Sequence, residues 1–306
     1  MSKHWTQKNI GDQTGRVAIV TGSNTGIGKE TVRHLAGAGA TVIMACRNSD
    51  KANQAAEDLR SANPKGAIEV EILDLADLSS VRDFADRIKA SHQRLDLLVN
   101  NAGVMVPPES KTNDGFELQF GVNHLGHFAL TGQLMDLLAK TPGSRVVTVS
   151  SVAHKFGEMD FDDLNWESRT YKKWPSYGQS KLANLLFTLE LQKRLAAAKL
   201  DVKATAAHPG WTATDLQRHT LSARIFNPLF AMKPWKGALP TVRAAVDPTI
   251  EGGEYFGPHG IGNMRGWPVV ETPKATATNE DDAARLWEVS EQLTGVRFDA
   301  LGQAAA

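Results

Sequence analysis

Tyr177 and Lys181 stand four residues apart in the run SYGQSKLANLLFTLEL, whose pattern reads as helix, so both side chains fall on one face. An ammonium beside a phenol favours tyrosinate and is expected to draw the phenol's pKa down toward the working range. Such a pair suits the interconversion of an alcohol and a carbonyl: Tyr177 trades a proton with the substrate oxygen while hydride passes to or from a nicotinamide. A YxxxK spacing alone is common and gains meaning only from its company. Ser150 and Ser151 end the apolar run SRVVTVSS. Neighbours on a strand point to opposite faces, so one of these hydroxyls is expected to reach a cleft and hold the substrate oxygen. Asn123 begins another helical stretch, where it either anchors a water beside Lys181 or caps the helix.

The run Thr21, Gly22, Ser23, Asn24, Thr25, Gly26, Ile27, Gly28 follows a β-branched segment and opens a helical pattern. A pyrophosphate is expected there, against unpaired N–H groups at the positive end of the helix, with glycines permitting close approach. At the end of the second apolar run the chain has Cys46 and then Arg47, where an NAD enzyme usually holds a carboxylate against the ribose. A guanidinium instead suits a 2′-phosphate, so the cofactor expected is NADP; the other reading of Arg47 is a solvated surface charge. Asp74 and Leu75 close the third run, with the carboxylate either receiving the adenine amino group or capping the next helix. Asn100, Asn101, Ala102 and Gly103 end the fourth, where small residues let the backbone line a cofactor or simply form a turn.

These residues need a scaffold that gathers strand ends at one edge. The runs RVAIVTG, TVIMACR, AIEVEILDL, LDLLVNNAG and SRVVTVSS alternate with helical stretches such as SDKANQAAEDLRSA and LSSVRDFADRIKASH. That alternation predicts an α/β fold, a doubly wound and mostly parallel sheet with helices on both faces, in which ligands bind at the carboxyl edge. We read one domain over 1–306: a polar leader (1–15), a cofactor-binding and catalytic core (16–210), substrate-side loops (211–270), and a C-terminal helix and tail (271–306). The last helix carries an acidic first turn and an apolar stripe of Ala284, Leu286, Trp287, Val289 and Leu293.

Composition narrows the partners. Lys plus Arg and Asp plus Glu are equal at 34 each, so no net field draws the chain onto nucleic acid or an anionic membrane. Cys46 is the sole cysteine, which excludes an internal disulfide or a cysteine-based zinc cage and fits a reducing compartment. No run approaches the roughly 20 apolar residues that span a bilayer. The expectation is a cytoplasmic protein acting on a small-molecule alcohol or carbonyl; a homo-oligomer is compatible with it.

From about Arg16 to Gly210 the chain resembles the short-chain dehydrogenase/reductase family. The segments ACRN, NNAG, VTVSSVAH, YGQSKLANLLFTLEL and HPGWTATDL resemble its retinol dehydrogenase and protochlorophyllide reductase-like branch. The resemblance implies a Rossmann-type sheet of seven strands and a catalytic tetrad of Asn123, Ser151, Tyr177 and Lys181. Lys181 would also hold the nicotinamide ribose, and Ser151 is chosen over Ser150 by the family's placement of the second serine. Pro209, Gly210 and Thr212 match the segment that contacts the nicotinamide carboxamide, with Thr214 an alternative donor.

Beyond that turn, Leu216, Leu221, Ile225, Phe226, Leu229, Phe230, Met232 and Trp235 form either an apolar lid favouring a lipophilic substrate or a helix docked on the sheet edge. His124 and His127 lack companions for a metal set, and no metal is assigned. His154, His208 and His259 either approach a cleft or are satisfied structural histidines, the second being the reading preferred for each. Two other functions fit parts of the pattern: a non-catalytic NADP-binding interaction protein, and an epimerase or dehydratase on the same scaffold.

Overall fold

The computed structural model describes residues 4–212 and 231–302. The chain enters the middle of the sheet with β1 (Val17–Thr21) and moves outward through β2 (Thr41–Cys46) to β3 (Ile68–Ile72). It then returns beside β1 with β4 (Leu97–Asn100) and moves the other way through β5 (Ser144–Val149), β6 (Val202–Ala207), β7 (Tyr255–Pro258) and β8 (Pro268–Glu271). The order is β3-β2-β1-β4-β5-β6-β7-β8, parallel throughout except for the antiparallel pair β7 and β8. The seven parallel strands are those the resemblance implied. The eighth is an antiparallel edge strand of four residues, PVVE, too short among glycines and prolines to read as a strand in the sequence.

The connections are helices: α1 (Gly26–Gly37), α2 (Ser49–Ser61), α3 (Leu78–Ser91), α4 (Gly126–Ala139), α5 (Lys173–Ala197), α6 (Leu239–Val246) and α7 (Glu280–Thr294). Alternate strand residues serve two cores. Ile19, Ile43, Leu98 and Val146 pack against Phe84, Phe128 and Trp287 on one face. Ala18, Val20, Met44, Val99 and Val147 pack against Val32, Leu35 and Val242 on the other. Burial on both faces explains why these strands read as continuous apolar runs. In α7 the fully buried residues are Ala283, Leu286, Trp287 and Ser290, so Ala283 rather than Ala284 carries the stripe, with Val289 and Leu293 partly buried beside it.

The direction of winding reverses between β1 and β4, and their carboxyl ends open a crevice there, where doubly wound sheets bind ligands. Thr21, Asn100 and Val149 mark that edge.

Candidate active site

The turn after β1 is closed by contacts that leave no room for side chains. Gly22 has φ +62°, and a Cβ on it would lie 2.8 Å from the Cα of Ala102. A Cβ on Gly28 would lie 2.6 Å from Asn101 Nδ2 and 2.7 Å from the Gly22 carbonyl. Thr21 ties the two loops together: its Oγ1 accepts from the backbone N–H of Asn101 and of Ala102, each at 2.9 Å, and its carbonyl accepts from Asn101 Nδ2 at 2.7 Å. Ser23 is buried and its hydroxyl donates to the Val20 carbonyl at 2.9 Å, so its side chain braces the turn. Asn24 is half-buried, Thr25 is exposed and precedes α1, and Gly26 has φ +57°. The first N–H groups of α1 lack acceptors within the helix and face this turn.

At the end of β2, Cys46 is buried with its Sγ 3.6 Å from Ser23 Oγ, and burial pushes its thiol pKa up. Arg47 is exposed at the same edge and forms no ion pair among the described residues. Asp74 lies two residues past β3, and its Oδ1 accepts from the Ala76 N–H at 2.9 Å. The cap of α3 is Asp77, not Asp74: the Asp77 carboxylate accepts from the N–H groups of Ser79 and Ser80. Leu75 is buried against Gly126.

Asn123 sits in a turn of π-helix, Gly121–Leu125, leading into α4. Its Nδ2 donates to the Val104 carbonyl at 3.0 Å and to Ser180 Oγ at 2.9 Å, while Oδ1 accepts from the Val104 N–H at 2.8 Å. Both amide hydrogens are therefore engaged, and Asn123 lies within the π-helical turn rather than capping a helix. It fastens the loop after β4 to the helix that carries Tyr177. A Cβ on Gly103 would lie 3.1 Å from Asn123 Oδ1 and 3.5 Å from Lys181 Nζ, which places Gly103 between them.

The two serines part company. Ser150 Oγ donates to the Lys181 carbonyl at 2.7 Å and is buried. Ser151 is half-buried on the Tyr177 side, where its hydroxyl acts to lower the phenol's pKa, and it accepts from the Ala153 N–H at 3.2 Å. Lys181 is buried with Nζ donating to the Val149 carbonyl at 3.1 Å and lying 5.7 Å from the centre of the Tyr177 ring. Here the phenol departs from expectation. Burial pushes Tyr177 up to about 12, opposed only by the Ser151 hydrogen bond, and burial pulls Lys181 down to about 8. Loss of water sets both directions, because charging either group in a dry site is costly.

The turn after β6 forms the far wall. His208 is held by Glu271 at 3.1 Å, and its Nδ1 accepts from the Gly210 N–H at 3.2 Å. Pro209 accepts from Thr212 Oγ1 at 2.8 Å, and Thr212 pairs with Met232. Thr214 and the lid residues from Leu216 to Phe230 lie outside the described residues; Met232 is buried and Trp235 packs near Trp267. His154 donates from Nδ1 to the Ser151 carbonyl at 2.7 Å, and His259 is bonded to Trp267, so both are structurally engaged. No cluster of three or more metal-binding side chains occurs among the described residues.

Several contributions were not read from the sequence, where His127 was weighed only as a metal ligand. His127 joins the Asn123 carbonyl, 3.1 Å away, to Thr21 Oγ1 at 2.9 Å. Phe156 and Trp174 are 51% and 47% exposed and meet edge to face, with Trp174 also 6.3 Å from the Tyr177 ring. A histidine four residues after Asn123 was a visible signal for the first. Nothing local marks the second, since the two rings come from separate segments.

This strand order and this edge define a Rossmann-type oxidoreductase. More narrowly, the chain belongs to the short-chain dehydrogenase family, whose family model matches residues 16–224. It is similar to human retinol dehydrogenase 13, with 43% identity over 92% of this chain and 85% of that protein. It is equally similar to mouse retinol dehydrogenase 12, at 43% over 93% and 88%. Among solved structures, an uncharacterized protein from Mycobacterium paratuberculosis shares 43% identity and a TM-score of 0.82 over 97% of this chain and 99% of that one. A short-chain dehydrogenase from Shigella flexneri in complex with NADP, 24% identical, shares the fold with a TM-score of 0.65 over 82% of this chain and 98% of that one.

Proposed function

We propose that this chain is an NADP-preferring oxidoreductase that interconverts a lipophilic alcohol and its aldehyde or ketone, with Tyr177 as general acid and base. The observation that carries the reading is the buried Tyr177 and Lys181 pair, with Nζ 5.7 Å from the ring centre and held by the Val149 carbonyl at the carboxyl edge where the Gly-rich turn opens. The backbone from Gly22 to Gly28 would hold the pyrophosphate and Arg47 the 2′-phosphate, and Asp74 and Leu75 would flank the adenine. Asn101, Ala102 and Gly103 would line the middle, Lys181 would hold the nicotinamide ribose, and Pro209, Gly210 and Thr212 would face the carboxamide. Bound NADP(H) supplies or accepts the hydride.

The residues of the chain manage the proton. In reduction, the Ser151 hydroxyl orients the carbonyl oxygen and Tyr177 delivers its proton to that oxygen as the carbon is reduced. Tyr177 at about 12 and Lys181 at about 8 give a neutral phenol and an ammonium at pH 7, the protonation state reduction requires. As the proton leaves, the Lys181 ammonium offsets the charge that develops on the phenolate, in a site where water cannot screen it.

A lipophilic substrate is supported by the exposed Phe156 and Trp174 beside Tyr177, and by relatives named for retinol, itself a lipophilic alcohol. NADP is supported by Arg47 standing exposed and without a carboxylate partner among the described residues, with neutral Cys46 before it. The test is loss of reduced-nicotinamide absorbance with a panel of lipophilic aldehydes and ketones, using NADPH and NADH in parallel. Turnover with NADPH preferred is expected. No turnover with any carbonyl, or a preference for NADH, would reject the reading.

A further inference from the structure

Among the described residues, five other than glycine have positive φ: Asn63, Val106, Trp166, Lys199 and Asn263. Val106, at φ +47°, is the β-branched one, and for such a side chain the left-handed region is a strained conformation that its surroundings must impose. Its location is not incidental. Val106 is buried and packs with Ala153 and with Tyr177.

One side chain holds it there. Gln119 Oε1 accepts from the Val106 N–H at 2.8 Å, which fixes the orientation of the amide. Its Nε2 then faces the Lys173 carbonyl at 2.9 Å, the Tyr171 hydroxyl at 3.1 Å and Ser176 Oγ at 3.2 Å. Gln119 is fully buried, in the single α-helical turn Leu118–Phe120 that runs into the π-helical turn carrying Asn123. One amide thus cross-links three segments: the loop after β4, the first turn of α5 just before Tyr177, and the turn before Asn123. A buried amide with this many partners is costly to disrupt, and the buried Val106 N–H would lose its acceptor.

We propose that Gln119 is a positioning residue for the reaction, holding Val106 in its strained conformation so that the wall it forms fixes the Tyr177 ring against the substrate. Gln119 touches no reacting atom in this arrangement and acts through Val106. The kinetic part of the test rests on the oxidoreductase reading above; the stability part does not.

The test compares the full chain with Gln119→Met, Val106→Gly and the double variant. Methionine keeps the length of the side chain without its hydrogen bonds, and glycine takes φ +47° without strain. With a carbonyl the parent chain reduces, Gln119→Met should lower kcat by about tenfold or more, because small displacements of a reacting group are expensive. Its NADPH dissociation constant, read by nucleotide fluorescence, should stay within about twofold, since the dinucleotide turn is not part of the cross-link. In the Val106→Gly background the same substitution should cost less than about threefold more in kcat, and less in melting temperature than in the parent. Equal losses in both backgrounds, or an unchanged kcat in Gln119→Met, would overturn the proposal. Should the parent chain reduce no carbonyl, the oxidoreductase reading falls, and the melting-temperature cycle decides alone: equal costs in both backgrounds overturn the positioning role.

Discussion

The Ser151 hydroxyl accepts from the Ala153 N–H, whereas that of Ser150, one residue earlier, donates to the backbone carbonyl of Lys181. Alternation of side chains along the chain sends the two hydroxyls to opposite sides, and the proposed mechanism gives the substrate oxygen to Ser151. Ser151→Ala should therefore lower kcat on the order of 100-fold, as removal of a preorganised donor does. Ser150→Ala should leave kcat nearly intact and cost about 1 kcal/mol of stability, the worth of one buried hydrogen bond. Steady-state kinetics with thermal denaturation separates the two, and the reverse pattern would exchange their roles.

Arg47 decides cofactor preference in this account. Arg47→Asp replaces a donor to a phosphate with a group that repels it, and should move the NADPH-to-NADH ratio of kcat/KM by about tenfold or more. An unchanged ratio would mean that another residue reads the 2′-phosphate.

Lys181 sets a limit at high pH. With Lys181 drawn down to about 8 and Tyr177 pushed up to about 12, the first group of this pair to lose its proton as pH rises is the ammonium. The kcat/KM for reduction should be level below about pH 8 and fall above it. Lys181→Arg puts a cation there that does not titrate in this range, and should abolish that limb while lowering the plateau. A limb that survives the substitution belongs to another group.

His124 and His127 tie stability to acid. Burial lowers them from 6.5 to about 3 and about 4, so the unfolded chain takes up their protons first. Their contribution is intact above pH 6.5 and is lost as pH falls toward the folded values, at up to about 1.4 kcal/mol per pH unit for each proton. Thermal denaturation at pH 7 and pH 5 checks this, and a melting temperature equal at both would contradict it.

The legible parts of the sequence were those with strong local signals. Buried parallel strands announce themselves as apolar runs, and the Gly-rich turn, the YxxxK spacing and the paired serines each sit at the end or start of such an element. What stayed hidden depends on residues far apart in the chain. Gln119 stands between Leu118 and Phe120, a signal that something pairs with it, but its partners lie at Val106 and in α5. The conformation of Val106 has no mark in its own residue type. The direction of the Tyr177 shift was misjudged for a related reason: the spacing to Lys181 is written in the helix, while the burial that raises the phenol's pKa comes with residues from other segments, Val106 and Ala153. Asp74 was read as a possible cap, yet Asp77, three residues later, takes that place because α3 begins at Leu78.

Everything in the mechanism passes through the Tyr177 hydroxyl, and one substitution isolates it. In Tyr177→Phe the ring that packs on Val106 and Ala153 is kept and only the oxygen is removed. NADPH should bind to this variant as it does to the parent, while kcat for carbonyl reduction falls by about 100-fold to 10,000-fold, the usual worth of a positioned proton donor. Turnover at the parent rate in Tyr177→Phe would contradict the account.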